Sequence, residues 1–238
     1  MPNKTAIEWC DYTWNPVKGL CPVACDYCYA RRMYKRFKWN LGIRADWQET
    51  GKIPNKPSRV FVGSTMELFG DWIKPEWMKE ILSMPVRYPQ HTFIFLTKRP
   101  ENLIKYSPYP DNVWIGVSVT KRKELYPAVW GLTGEVKCGK RLLSFEPLLE
   151  NILDQVLPVE WDDSIDWAII GAQSPQSDKT FPEWDWVSDI INACDQMGIP
   201  VFLKNNLGLP KLSCEGATPF YKKHPSGTMI LRQEFPNA

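Results

Sequence analysis

No apolar run in the chain approaches the roughly 20 residues that a membrane-crossing helix needs, which argues against a helical membrane protein. Met1 to Trp9 holds no apolar stretch that could act as a secretory leader, so the expected location is the cytoplasm. The net charge of +2 is too small to imply a nucleic-acid partner by itself. There is no low-complexity tract and no linker rich in Gly and Ser. Also missing are the paired two-ligand units of structural zinc sites, a second C-x2-C or an H-x3-H. What is present is 238 residues, enough for one large α/β domain or two small ones, with 12 Trp and 7 Cys. An odd cysteine count with clustered thiols in a chain of this size points to metal or redox chemistry rather than a disulfide framework.

Short apolar, β-branched runs alternate with helical stretches. Six are clear: Arg59–Gly63, Thr92–Leu96, Val113–Val119, Arg141–Phe145, Trp167–Gly171 and Pro200–Leu203; a weaker one is Asp11–Pro16. Their apolar character is continuous rather than alternating, as in parallel strands buried on both faces. Between them, Pro75–Arg87 starts with a first-turn Pro and presents Trp77, Ile81 and Met84 on one face. Pro182–Met197 carries a stripe of Trp186, Ile190, Ala193, Cys194 and Met197 and stops at Gly198. Ala30–Trp39 and Leu148–Leu157 are further predicted helices. The pattern predicts an α/β fold, a partial (β/α) barrel of six to seven parallel strands over 1–206. An open doubly wound sheet is the alternative. Residues 207–238, with a hairpin-like Gly227–Gln233 run, read as a C-terminal tail packed on the barrel.

Cys21-Pro-Val-Ala-Cys25-Asp-Tyr-Cys28 follows the first strand run, at the rim where barrel enzymes place their chemistry. Three thiolates at C-x3-C-x2-C can hold three irons of a [4Fe–4S] cluster and leave the fourth open to a small molecule's amino and carboxylate groups. The competing reading is a zinc knuckle completed by Cys10, His91 or His224. Of the remaining cysteines, Cys194 is expected in the core, and Cys10, near the motif, is a candidate hydrogen-atom donor. Cys138 and Cys214 lack cluster-like spacing.

The spacing, with aromatic Tyr27 before the third Cys, resembles the radical-SAM signature. Ile7-Glu8-Trp9, Thr13-Trp14-Asn15-Pro16-Val17, Val60-Phe61-Val62, Glu67-Leu68-Phe69-Gly70 and Leu96-Thr97-Lys98-Arg99-Pro100 resemble a phage-associated family of radical-SAM-like proteins. So do Trp114–Val119, Leu143-Ser144-Phe145-Glu146-Pro147-Leu148, Asp166–Gly171 and Val201-Phe202-Leu203-Lys204. That resemblance implies a partial barrel, one [4Fe–4S] cluster, S-adenosylmethionine (SAM) and a 5′-deoxyadenosyl radical. It also implies an electron donor such as a flavodoxin or ferredoxin. The Cys–Tyr stretch is similar to that of spore photoproduct lyases, radical-SAM enzymes of DNA repair. One departure stands out: where the family has Gly-Gly-Glu-Ser, this chain has Gly171-Ala172-Gln173-Ser174 and lacks the carboxylate.

Polar residues at strand ends are the candidate ligand contacts. Tyr27 is placed against adenine, Gly63-Ser64-Thr65 against the methionine part of SAM, and Glu67 against its ammonium. Ser118 and Thr120 are assigned to the ribose. Thr97, Lys98, Arg99, Glu146, Lys204 and Asn205 end other strands, and the lysines and arginine suit a SAM carboxylate or a phosphate. Each also has a structural reading, as a helix cap or a buried ion pair. Arg31, Arg32, Lys35, Arg36 and Lys38, interleaved with Tyr34, Phe37 and Trp39, can contact phosphates and bases. The favoured expectation is a solvated helix face with its aromatics turned inward. The sequence therefore carries three readings: a radical-SAM enzyme acting on an unknown substrate, with nucleic acid first in line; a zinc-stabilised nucleic-acid-binding module; and a cluster-bearing sensor.

Overall fold

The computed structural model describes residues 5–153, 164–175, 180–211 and 218–237. The chain forms two compact units, Met1–Val117 with Gly134–Lys140, and Ser118–Thr133 with Arg141–Ala238.

The first unit contains β1 (Tyr12–Trp14), β2 (Val17–Lys18), α1 (Tyr29–Phe37), β3 (Arg44–Ala45), β4 (Arg59–Val62), α2 (Pro75–Arg87), β5 (Thr92–Thr97) and all but the last residue of β6 (Val113–Ser118). β1, β4, β5 and β6 are parallel neighbours in that order. Register at the start is set by a carboxylate: Asp11 accepts the Arg59 N–H at 2.8 Å and its guanidinium at 3.1 Å. Burial pushes the Asp11 carboxyl up, but the hydrogen bonds and charge of Arg59 outweigh it and leave it below the usual range. β2 and β3 pair as a short antiparallel ribbon.

The second unit contains α3 (Leu125–Thr133), all but the first residue of β7 (Lys140–Phe145), β8 (Trp167–Ile170), α4 (Trp184–Gln196), β9 (Val201–Leu203), β10 (Tyr221–Lys223) and β11 (Met229–Leu231). β7, β8 and β9 are parallel neighbours, and β10 and β11 form an antiparallel hairpin. The hairpin's continuation lies along β9, where Gln233 bridges Phe202 and Leu203 N–H donates to the Arg232 carbonyl. The two units thus supply seven parallel strands, the α/β fold class of a partial (β/α) barrel that the apolar runs predict. β8 and β9 are buried throughout, as continuous apolar strands should be. Among the described residues, no helix is long and apolar enough to cross a membrane.

Several expectations are corrected. α2 buries Met78, Ile81, Met84 and Pro85, and Trp77 is half-buried, so the stripe is rotated by one residue. α4 buries Val187, Ile190, Ile191, Ala193 and Cys194, with Trp186 and Met197 half-buried. α1 ends at Phe37 because Lys38 turns left-handed (φ 52°). Leu148–Leu157 is not helical over its described part. Leu148 N–H donates to the Gly171 carbonyl and Leu149 N–H to the Thr120 carbonyl. The Leu153 N–H goes to the Asn151 side chain. Residues 154–157 of that stretch and Cys214 lie outside the described residues.

Candidate functional site

The segment joining β2 to α1 carries the three cysteines, and three clips shape it. Gly19 N–H donates to the Tyr34 hydroxyl at 2.7 Å, Arg31 donates to the Cys21 carbonyl at 2.8 Å, and Cys28 N–H to the Cys25 carbonyl at 3.1 Å. Gly19 has φ +125°, and a Cβ there would meet the Gly42 carbonyl oxygen at 2.7 Å, so only glycine fits. Cys28 caps the N-terminus of α1 in an extended conformation. All three thiols line one open hollow, together with Leu20, Ala24, Ala30, Arg31, Tyr34 and Thr65. They are half-buried and reduced. Burial pushes the Cys21 thiol up; N–H groups of Glu67 and Val23 pull it back only partly.

Among the described residues, no three His, Cys, Asp or Glu side chains converge to hold a single metal ion. A cluster asks for something else, because each thiolate binds a different iron of a cage. Three thiols spread around one hollow fit that donor set.

The β4 end borders the hollow. Gly63 (φ +76°) starts a turn, and a Cβ there would sit 2.6 Å from Leu68 Cδ1. Ser64 Oγ, Thr65 N–H and Thr65 Oγ1 all donate to Asn15 Oδ1, at 3.1, 3.3 and 3.4 Å. Asn15, at the end of β1, is therefore a positioning residue that sequence reasoning did not single out. Its only signal was its place between Trp14 and Pro16. Tyr29 donates to the Ser64 carbonyl at 2.9 Å.

Glu67 is buried and accepts from Phe69 N–H (2.9 Å), Thr97 Oγ1 (2.8 Å) and Lys98 N–H (2.7 Å). A carboxylate offers about four lone-pair sites. Three donors occupy Glu67 and tie the Gly63–Gly70 turn to the end of β5. Burial pushes its carboxyl up despite those donors. Tyr27 lies with its ring 5.4 Å from the Lys98 ammonium. Cys10 is buried, with Sγ 3.9 Å from the Ile7 carbonyl.

In the second unit, Lys204 and Glu146 form an ion pair at 2.6 Å. They pack against Gly171, where a Cβ would meet Glu146 Oε1 and Lys204 Cδ, both at 2.8 Å. Buried Ser144 places its hydroxyl 3.5 Å from Glu146 Oε2. Thr120 gives its N–H and hydroxyl to Glu124 at 2.7 and 3.0 Å, a capping role. Ser118 ends β6 half-buried. Asn206 clamps both backbone groups of Ala172, just before Gln173.

The basic segment differs from its expected inward-facing arrangement. Of its aromatics only Tyr34 is buried; Phe37 is 51% and Trp39 43% exposed.

Residues 4–211 match the model of a family described as a protein of unknown function (DUF5131). Among solved structures, the chain is similar to a doubly substituted mutant of spore photoproduct lyase with bound AdoMet and dinucleoside spore photoproduct. The TM-score is 0.52 at 11% identity, covering 98% of this chain and 71% of that one. At that identity the likeness speaks to fold alone. No protein with a curated description matches the chain.

Proposed function

This chain belongs to the DUF5131 family, and we propose that it is a radical-SAM enzyme whose Cys21, Cys25 and Cys28 hold a [4Fe–4S] cluster. The observation that carries this reading is the shared hollow: three thiols of a C-x3-C-x2-C loop line one cavity. The likeness to a radical-SAM fold supports it. When bound, such a cluster supplies the electron that cleaves SAM to methionine and a 5′-deoxyadenosyl radical.

The protein's own part is placement. Gly19, Tyr34 and Arg31 fix the loop so that the thiols are presented before any metal arrives. Cys21 must give up a proton whose loss burial disfavours, so loading becomes easier as pH rises. Asn15 holds Ser64 and Thr65 at the rim, where they are assigned to the methionine portion of SAM. Tyr27, steadied by Lys98, is assigned to the adenine. Glu67 acts by holding the turn, with its remaining acceptor capacity toward the SAM ammonium. In the second unit, Glu146 and Lys204 are assigned to a charged ligand group and Ser118 and Thr120 to hydroxyls. Cys10 keeps its assignment as hydrogen-atom donor.

The test is anaerobic purification, iron and acid-labile sulfide analysis, then addition of SAM and dithionite. About four irons per chain with 5′-deoxyadenosine formed, both lost in Cys28→Ala, is the expected result. Zinc in place of iron overturns the reading, and so does a reduced cluster that leaves SAM intact.

A further inference from the structure

Between Asp26 and Asp46 the chain has six cations, Arg31, Arg32, Lys35, Arg36, Lys38 and Arg44, and no acid, although the whole protein carries only +2. Two large aromatic side chains stand exposed in the middle of this charge. Phe37 and Trp39 are stacked, centroids 5.4 Å apart and planes 22° from parallel. Leaving such area in water forgoes burial free energy, so the arrangement calls for a partner.

The pair is also held rigidly. Trp39 N–H donates to the Tyr34 carbonyl, and Tyr34 packs edge-on against Trp39 at 5.2 Å. The buried Tyr34 is itself fixed by Gly19. Arg36 lies 5.3 Å from the Phe37 centroid. Arg44 donates to the carbonyls of Asn40 and Gly42, which secures the loop beyond Trp39. A rigid aromatic platform flanked by cations has the chemistry that grips unpaired bases through their faces and a phosphate backbone through charge.

We propose that the C-terminal end of α1, with Phe37 and Trp39 as stacking platform and Lys35, Arg36 and Lys38 as phosphate contacts, binds single-stranded nucleic acid. A second copy of the chain is a poor occupant, because two such faces repel. A lipid surface is disfavoured too: the apolar face of α1, Ala30 and Tyr34, is turned into the protein rather than outward. Phe37 lies nine residues along α1 from Cys28, about 13 Å at the helical rise. That equals about four nucleotides at the per-strand spacing of B-DNA. As a binding surface the platform stands alone; as the docking surface of the substrate it rests on the radical-SAM reading.

Fluorescence anisotropy with a labelled oligothymidylate of about 12 nucleotides, a length within the usual site size of such surfaces, tests it. Iron content and SAM cleavage are measured on the same preparations. Wild type should bind the oligonucleotide more tightly than a blunt duplex of equal length. Phe37→Ala with Trp39→Ala should weaken binding about 10- to 100-fold. Phe37→Tyr with Trp39→Tyr should restore most of it, which a folding defect would not allow. Lys35, Arg36 and Lys38 all changed to Ala should flatten the slope of log affinity against log salt by about two. Trp130→Ala, removing an aromatic that is 71% exposed on α3, should change nothing. Absent oligonucleotide binding, binding indifferent to both sets of changes, or wild type adsorbing to phosphatidylserine vesicles but not to oligonucleotide would each overturn the proposal. A normal iron and SAM result beside any of these leaves the enzyme reading intact.

Discussion

Lys204→Met removes the ammonium that sits 2.6 Å from Glu146 and keeps most of the side-chain volume. Both partners are largely buried, at 17% and 16% exposure. Breaking a fully buried pair costs about 3–5 kcal/mol, because a charge is left without its partner. The residual exposure lets water reach the carboxylate that loses its cation, and Glu146 keeps its other contacts, Ser144 Oγ at 3.5 Å among them, so about 2–4 kcal/mol is the working value. In a chain of 238 residues that is a Tm lower by roughly 5–15 °C. Glu146→Gln keeps an acceptor for the ammonium and should cost less. The double variant Glu146→Gln/Lys204→Met should be more stable than the sum of the singles by about 1 kcal/mol or more. Urea unfolding of all four proteins measures this. Additive singles, or Lys204→Met within about 0.5 kcal/mol of wild type, would refute the claim that the pair braces Gly171 and the strand ends. Retained stability with lost SAM cleavage would instead show Lys204 serving a ligand.

Gly63→Ala should destabilise by about 2–5 kcal/mol, the sum of left-handed strain and the 2.6 Å approach to Leu68, and a near-neutral urea midpoint would contradict the turn geometry. Tyr34→Phe leaves the Gly19 N–H without its acceptor; a loss of about 1–3 kcal/mol and faster amide exchange over residues 19–28 are expected by mass spectrometry. Burial pushes the Glu234 carboxyl up, but donation from Val201 N–H, Lys222 and Arg232 outweighs it and sets it below its ordinary value. Its stabilising contribution is therefore present above the unfolded pKa of about 4.3 and is lost as pH falls through the lower folded value. Glu234→Gln should lose stability relative to wild type at neutral pH and converge on it in acid; a pH-independent gap between the two unfolding curves would refute this.

The seven parallel strands were legible because a strand buried on both faces must be continuously apolar, a pattern that Thr92–Thr97 and Trp167–Ile170 show openly. Pro at the start of α2 likewise marked a true boundary. The stretch after β7 misled because Leu148, Leu149, Ile152 and Leu153 have helical spacing while the N–H groups of Leu148 and Leu149 bond to other segments and that of Leu153 to the Asn151 side chain; periodicity reports burial and is blind to hydrogen-bond partners. In the site, the thiol spacing announced itself, whereas Asn15 and Tyr34 did not. Their work is to accept backbone N–H groups from Thr65 and Gly19, far away in sequence, and nothing in residue type reveals such a partner. Glu67 was noticed for its charge, yet that charge is spent on three donors next to it in the fold.

The clasp between Tyr34 and Gly19 bears on the order of events in the life of the protein. A loop that must be ordered by its metal makes folding wait for that metal, as in zinc fingers. Here the cysteine loop is anchored at Gly19 and again at Cys28 by the helix that follows, so its closure entropy is met by protein contacts. On the proposed reading the chain would mature in two stages, first a finished scaffold with an open mouth, then late delivery of the inorganic part. On the same reading, loss of the cluster would return the protein to a folded, refillable state.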